Sequence, residues 1–231
     1  MDKLELAENI DNIKNRIAII CKECGRENDI ILVGASKTMP QSVIDLVDSE
    51  KLLEVLGENR VQELTSKYRD GQSFKWHFIG KLQSNKVKYI IDKVSLIHSV
   101  DSIKLAKEID KQAKKYNKLI DVLLQINMGK EESKSGFYIE EIERAICEIS
   151  KFENINVVGL MAVMPIVDKA DTIQLFECLG AKWLQLKDKY NLKYLSAGMT
   201  NDYELAIKYA GSNMVRIGTG IFGVRSNNEK V

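Results

Sequence analysis

The chain is poor in proline, histidine and cysteine. Only 2 of its 231 residues are proline, which argues against a disordered or low-complexity chain. Its 2 histidines cannot supply a three-histidine metal site, so we expect no catalytic metal. The 4 cysteines lie in segments with helical spacing. Cys21 and Cys24 form one C-x-x-C pair, but a zinc site would need a second pair, so free thiols in a cytoplasmic protein are expected.

Long apolar runs and an excess of one charge are also missing. No run approaches the roughly 18 apolar residues of a membrane helix, and the acidic N-terminus lacks the basic start of a signal peptide. Lys plus Arg number 34 against 33 Asp plus Glu, without the basic excess typical of nucleic-acid binding. We therefore expect neither a membrane nor a nucleic-acid partner. The length suits one large domain or two small ones, and we expect a single domain over residues 1–231 and a monomer.

What the chain does contain is a regular alternation of strand and helix patterns. Eight short apolar or β-branched runs predict strands, at Ile30–Lys37, Val55–Asn59, Trp76–Gly80, Leu96–Asp101, Asp121–Asn127, Val157–Val163, Tyr194–Ala197 and Met214–Ile217. Strands that alternate with helices imply a parallel sheet. Eight such units match a closed (β/α)8 TIM barrel better than an open doubly wound sheet, which is the alternative. A helix over Leu6–Cys24 precedes the first strand and is an addition to the ring.

Lys37 ends the first predicted strand, and in a barrel the C-terminal strand ends converge on the face that carries the active site. Burial disfavours the charged form of a lysine amine, so a lysine at the end of a buried strand has a larger neutral, nucleophilic fraction. Such an amine can form a Schiff base with a carbonyl ligand. A lysine whose amine simply reaches solvent is the competing interpretation.

The last two strands run into glycine- and hydroxyl-rich segments. Ser196–Asn201 follows strand seven, and Arg216–Gly220 follows from strand eight. Free backbone N–H groups, glycines and hydroxyls together are typical of a phosphate cradle, and barrel enzymes often bind phosphate with these two loops. Glycines that serve tight turns alone are the alternative. A ligand with both a phosphate and an aldehyde would satisfy both this cradle and Lys37, and pyridoxal 5′-phosphate (PLP) is the common cofactor with that pair of groups.

Several motifs resemble those of the pyridoxal phosphate homeostasis proteins. They are the segments Gly34–Thr38, Gly57–Glu63, Trp76–Lys86, Ser133–Phe137, Gly159–Met161 and Val215–Gly223. They run in family order over almost the whole chain, and the Trp76–Lys86 block is long and unusual. The resemblance implies a single barrel similar to the N-terminal domain of alanine racemase.

The resemblance also implies a set of residues that bind PLP. Lys37 would carry the cofactor as an aldimine, and Arg216 would lie near the cofactor ring. The phosphate contacts implied are Ser196, Met199, Thr200, Gly218 and Thr219. Asn59 and His77 fall in matching blocks and would line the site, although a hydrogen-bonded His77 near the barrel rim is an equal alternative.

The implied function is a carrier of PLP that takes part in vitamin B6 and amino-acid homeostasis, without a defined catalytic turnover. Apo-enzymes that use PLP are the expected recipients. The alternative is a PLP-dependent amino-acid racemase, and a weaker third is a barrel enzyme that uses Lys37 on a sugar phosphate. Racemization needs an acid/base group on each face of the substrate carbon. In the racemases that this barrel resembles, the second group is a tyrosine from a β-rich domain of a partner subunit. The chain ends at Val231, and Tyr203 and Tyr209 are predicted in the helix after strand seven, so a carrier is expected.

Overall fold

Eight parallel strands close into a barrel in the computed structural model, which describes residues 2–130 and 135–223. The strands are β1 Ile31–Ala35, β2 Val55–Glu58, β3 Lys75–Phe78, β4 Leu96–Val100, β5 Ile120–Ile126, β6 Ile155–Ala162, β7 Tyr194–Ser196 and β8 Met214–Ile217. Each strand pairs with the next along the chain, and β8 closes on β1 with Met214 opposite Ile31. The predicted TIM barrel is confirmed, and the open doubly wound sheet is excluded.

Helices surround the barrel. They are α1 Lys3–Glu23, α2 Gln41–Ser49, α3 Val61–Lys67, α4 Ile103–Lys115, α5 Ile142–Ile149, α6 Lys169–Lys187, α7 Tyr203–Leu205 and α8 Thr219–Phe222. A 3-10 helix, Ser84–Tyr89, lies between β3 and β4, and α7 continues into a π-helical turn, Ala206–Ala210. The predicted additional helix α1 packs on α8 and on this turn.

Apolar residues fill the structure in two layers. The barrel interior is filled by inward-pointing side chains, namely Val33, Val55, Leu96, Leu123, Val158, Met161 and Met214. The second layer lies between the strands and the helices and includes Phe176, Leu179 and Trp183 of α6. Because parallel strands are covered on both faces, they read as nearly continuous apolar runs, which is why the sequence revealed them.

Strand ends differ from the prediction by one or two residues. β1 ends at Ala35, so that Ser36 and Lys37 lie beyond it, and β3 ends at Phe78 instead of Gly80. The chain turns at these points toward the next helix. The first residues of each turn continue the residue pattern of the strand before it. Sequence periodicity alone therefore does not locate the ends.

Two helix boundaries also differ from the sequence prediction. Cys24 is the residue that caps α1 and lies outside the helix, because the chain turns at Gly25 with a φ of 63°. Pro165, predicted in a first helical turn, precedes α6 by four residues because Asp168 begins that helix and accepts from the N–H of Asp171. Ser133 and Lys134 of the family motif lie outside the described residues. Over the part of the chain that the structure describes, no helix is long and apolar enough to cross a bilayer.

Candidate functional site

A cavity of about 1180 Å³ opens at the C-terminal ends of the strands. Seven of the nine residues predicted to bind a cofactor line it: Lys37, Asn59, Met199, Thr200, Arg216, Gly218 and Thr219. These residues come from the ends of β1, β2, β7 and β8, which the closed barrel brings to one mouth. His77 and Ser196 are buried and are not among the residues that line the cavity. Any effect of these two on a ligand would pass through residues that do line it.

Lys37 lies in the turn after β1, and its side chain is exposed. The burial that the sequence pattern predicts for this side chain is therefore not found, and the nucleophilic role of its amine stays a prediction. Gly34, three positions before Lys37, does not make room for the amine. A Cβ on Gly34 would lie 2.6 Å from Leu53 Cδ1, in the layer outside the barrel, so this glycine serves the packing of that layer. The turn itself is unusual because Thr38 has a φ of 67°, in the left-handed region that non-glycine residues rarely adopt. The amine is accessible from the cavity mouth.

A chain of four buried polar residues crosses the barrel interior beneath the cavity. We call His77, His98, Ser196 and Arg216 the inner chain. His77 Nδ1 lies 3.0 Å from His98 Nε2, and His98 Nδ1 lies 3.0 Å from Ser196 Oγ. Arg216 donates to Ser196 Oγ at 2.7 Å and to the carbonyl oxygen of Ser196 at 2.8 Å. Its other terminal nitrogen donates to the carbonyl oxygen of Ala162 at 2.9 Å.

Burial determines the charge of each group in the inner chain. It lowers the pKa of His77 to about 3 and the pKa of His98 well below its ordinary value, so both rings are neutral at pH 7. Burial also lowers the pKa of Arg216 to about 10, against the opposing effect of Asp202, and Arg216 stays charged. All three acceptors of Arg216 are neutral oxygens. The inner chain therefore holds a positive charge in the cavity wall, and no carboxylate among the described residues is bonded to it.

We assign the protons of the two rings by giving the buried Ser196 hydroxyl an acceptor, because the roles of the ring nitrogens depend on the tautomer. Arg216 fills one lone pair of Ser196 Oγ, and we place the hydroxyl hydrogen on the bond to His98 Nδ1. His98 then carries its proton on Nε2 and donates it to Nδ1 of His77. His77 is left with its own proton on Nε2. Each contact has one hydrogen, and the chain orients the guanidinium without a further charged group.

The turns after β7 and β8 line the cavity beside Arg216. Gly220 N–H donates to Thr200 Oγ1 at 3.3 Å, which joins the two turns. Gly198 has a φ of 95°, and a Cβ there would lie 2.7 Å from Tyr203 Cα, so this position requires glycine. A Cβ on Gly218 would meet nothing closer than 3.6 Å. Within residues 2–130 and 135–223, the backbone N–H groups of Thr200 and Thr219 donate to no protein acceptor, as a phosphate cradle requires.

The sequence analysis missed two residues of this region. His98 lies on β4 two positions after inward-pointing Leu96, so the strand period of two would have found it. Lys169 begins α6 and is the second lysine in the cavity lining, a position that no motif indicates. Among the described residues, no group of three or more His, Cys, Asp or Glu side chains is placed to hold a metal ion.

Sequence comparisons agree with this geometry. The family model for the alanine racemase N-terminal domain matches residues 8–226. A pyridoxal phosphate homeostasis protein of Aquifex aeolicus is 41% identical over 228 residues, which cover 96% of this chain and 99% of that protein. The protein of the same name from Escherichia coli K12 is 34% identical over 98% of this chain and 99% of its own length.

Solved structures resemble the barrel over nearly its whole length. PipY of Synechococcus elongatus PCC7942, in a structure with PLP bound, is 28% identical with a TM-score of 0.80, covering 94% of this chain and all of that one. A protein of unknown function from Bifidobacterium adolescentis is 31% identical with a TM-score of 0.87, covering 96% and 97%. Alanine racemase of Clostridium difficile 630 is 20% identical with a TM-score of 0.71, and the match covers 58% of its chain, which shows a shared fold alone.

Proposed function

From the premise that this chain belongs to the family of pyridoxal phosphate homeostasis proteins, we propose that it binds PLP in the cavity at the barrel mouth and carries it as an aldimine on Lys37. One observation carries the proposal: a single cavity of about 1180 Å³ is lined by Lys37, by Arg216 and by the two turns with free N–H groups. An aldehyde and a phosphate on one small molecule match these groups.

The residues present fit the charge and shape of PLP. The N–H groups of Thr200 and Thr219 have no protein acceptor among the described residues, and the open space at Gly218 lets a phosphate approach the backbone. Arg216 adds a permanent positive charge in the same wall. Met199, which is exposed at the cavity mouth, and Asn59 line the space between these turns and β2. Ser196 contributes by orienting Arg216.

Lys37 supplies the covalent attachment in this proposal. Its primary amine would hold the aldehyde carbon through a C=N bond, with the aldehyde oxygen released as water, so that no oxidant or reductant would be needed. The amine is exposed in its turn, so free amines reach the same carbon and compete for it. An open, exchangeable attachment suits a cytoplasmic carrier that delivers PLP to apo-enzymes and influences vitamin B6 and amino-acid balance.

The alternative of an amino-acid racemase stays open to a direct test. Tyr203 lines the same cavity as Lys37 and is the tyrosine available for a second acid/base role there. We expect no exchange of the α-hydrogen of single enantiomers with solvent deuterium at the rates usual for enzymes, about 1 s⁻¹ or more. Such turnover, lost in Tyr203→Phe, would favour the racemase.

The experiment that tests the proposal is borohydride reduction of the protein loaded with PLP, followed by intact and peptide mass analysis. We expect one adduct, on Lys37. Lys169→Ala, which removes the other lysine of the cavity lining, serves as the control and keeps the adduct. Lys37→Ala abolishes it and stays folded because its side chain is exposed. An adduct that persists in Lys37→Ala, or that moves to Lys169, contradicts the assignment.

A further inference from the structure

A buried ion-pair cluster lies behind the turn that carries Lys37, outside the barrel. We call Glu58, Glu63 and Lys67 the outer cluster. Lys67, at the end of α3, is 5% exposed, and Glu58, at the end of β2, is fully buried. Lys67 Nζ donates to Glu58 Oε1 at 2.5 Å and to Glu63 Oε2 at 3.2 Å. The cavity does not include these residues, and the proposed function does not use them.

The outer cluster bonds to the backbone on both sides of Lys37. Before Lys37, Lys67 Nζ donates to the carbonyl oxygen of Ser36 at 2.9 Å, and Ser36 Oγ donates to Glu58 Oε1 at 3.1 Å. After Lys37, the N–H of Thr38 donates to Glu63 Oε2 at 2.7 Å. One cluster thereby fixes both peptide groups that flank the lysine.

The turn needs this support because of its backbone. Thr38 has a φ of 67°, and a non-glycine residue is strained in this left-handed region. Burial raises the pKa of the Glu63 carboxyl, but the bond from Thr38 N–H and the ammonium of Lys67 outweigh it, and the net pKa lies below the ordinary value. Glu63 therefore stays charged at neutral pH and keeps its hold on Thr38 N–H.

We propose that Lys67, Glu58 and Glu63 are positioning residues that set the direction of the Lys37 amine toward the cavity. The inference rests on the proposed function, since it concerns the same lysine. Buried ion pairs are poor sources of net stability, because desolvation offsets their attraction. This cluster forms hydrogen bonds with both peptide groups around Lys37, which apolar side chains could not do.

Two variants remove the contacts, and two others serve as matched controls. Lys67→Met removes the ammonium with little change in side-chain length, and Glu63→Ala removes the acceptor of Thr38 N–H. Lys118→Met is the control for the first, because Lys118 is a half-buried lysine that donates to the carbonyl oxygens of Ile91 and Val94. Glu143→Ala is the control for the second, because Glu143 pairs with Lys189 away from the cavity.

The measurement is the affinity of each folded variant for PLP, for pyridoxal and for inorganic phosphate, with borohydride trapping to locate the adduct. We expect Lys67→Met and Glu63→Ala to bind both aldehydes roughly tenfold more weakly, a change of about 1.4 kcal/mol. Inorganic phosphate binds them as it binds the wild type, because the phosphate cradle is untouched. Glu63→Gln, which keeps an oxygen for Thr38 N–H, restores most of the affinity, and both controls resemble the wild type.

The outcomes separate this inference from the proposed function. A wild type without an adduct on Lys37 overturns the proposed function itself. A wild type with that adduct, and variants that bind both aldehydes equally well, overturns the positioning role alone. Equal losses for aldehydes and phosphate would show general damage to the fold and would also count against it. If Lys67→Met does not fold, Glu63→Ala and Glu63→Gln decide, since Glu63 is only partly buried.

Discussion

The inner chain and the outer cluster are both buried and both end at the candidate site, but they are built from opposite chemistry. Inside the barrel, neutral histidines and a hydroxyl hold Arg216, and within residues 2–130 and 135–223 no carboxylate bonds to it. Outside the barrel, two carboxylates surround a single ammonium and hold the turn of Lys37. The inner chain therefore leaves the positive charge of Arg216 available to the cavity. In the outer cluster, the charge of Lys67 is neutralised by its ion pairs with Glu58 and Glu63.

This difference separates binding from positioning. A cation that faces a cavity with neutral partners is available to an anionic ligand, and its attraction is strong where water is excluded. A cation already paired with two carboxylates exerts little attraction on a ligand and instead fixes backbone geometry. We expect changes in the inner chain to alter the binding of the phosphate and the ring, and changes in the outer cluster to alter the reaction at the amine.

The largest effect on stability is expected when the outer cluster loses a charge. Glu58→Ala leaves Lys67 buried beside only the partly exposed Glu63, and removing one partner of a buried pair costs about 3–5 kcal/mol. Ser196→Ala removes the hydroxyl between His98 and Arg216, and Arg216 keeps the carbonyl oxygen of residue 196, so the expected cost is about 1–3 kcal/mol. Urea unfolding of both variants measures the two losses. If Ser196→Ala is the more destabilising, the proposed contrast between the networks is wrong.

Acid should weaken the inner chain at a higher pH than the pH at which Glu63 of the outer cluster is protonated. The pKa of His77 is about 3 in the folded protein and near 6.5 in the unfolded chain, so the unfolded state binds more protons as the pH falls below about 6.5. The free energy of unfolding then declines by up to about 1.4 kcal/mol per pH unit for each of His77 and His98. Urea midpoints between about pH 6.5 and about pH 5 measure this decline in the free energy of unfolding. This pH window lies above the range in which Glu63 titrates.

His77→Gln is the control for the acid prediction. It removes one of the two titrating rings while keeping a side chain that hydrogen-bonds His98, so the pH slope should fall to about half. An unchanged slope in this variant, or a wild-type stability that does not depend on pH in this window, would contradict the assignment of neutral rings to the inner chain.

Thr219 belongs to neither network, so its loss should alter binding alone. Thr219→Val removes a hydroxyl beside the expected phosphate and should weaken PLP binding by roughly 1.5–3 kcal/mol, one to two decades in affinity. Binding of pyridoxal and the urea midpoint stay unchanged, because the side chain is exposed. Thr172→Val, at another threonine of the cavity lining, is the control. Equal affinity of the wild type for PLP and pyridoxal would contradict a phosphate site at these turns.

The smallest effect is expected for an ion pair with the chemistry of the outer cluster but at the surface. Arg16 donates to both carboxylate oxygens of Glu204, at 2.9 and 2.7 Å, and both side chains are exposed. Solvent screens such pairs, so Arg16→Gln should leave the urea midpoint within experimental error. A loss comparable to that of Glu58→Ala would show that burial is not what distinguishes the outer cluster.

Much of the site was predictable because barrel strands end on one face. Lys37, Asn59, Thr200 and Thr219 were predicted from strand ends and motifs, and all four line the cavity. For His77 the sequence left two alternatives, a residue of the lining or a hydrogen-bonded histidine near the rim. In the structure His77 is buried, bonds to His98 and is not among the residues that line the cavity. A strand pattern reports which face a side chain occupies, but it does not report how deep in the barrel that side chain lies.

By itself, the sequence determined the strands, the helices and their alternation, because hydrophobic periodicity is a local property that each segment carries. It favoured a closed barrel over an open sheet through the number of strands, and the structure shows the closure of β8 on β1. Only the tertiary structure decided which distant polar groups meet. Lys67 bonds to Ser36 across 31 positions, and Arg216 bonds to Ala162 across 54. Such contacts depend on the register of neighbouring strands and on the way a helix packs back over them. The exposure of Lys37 was decided in the same way, because the turn after β1, and not the strand, carries its amine into the cavity mouth.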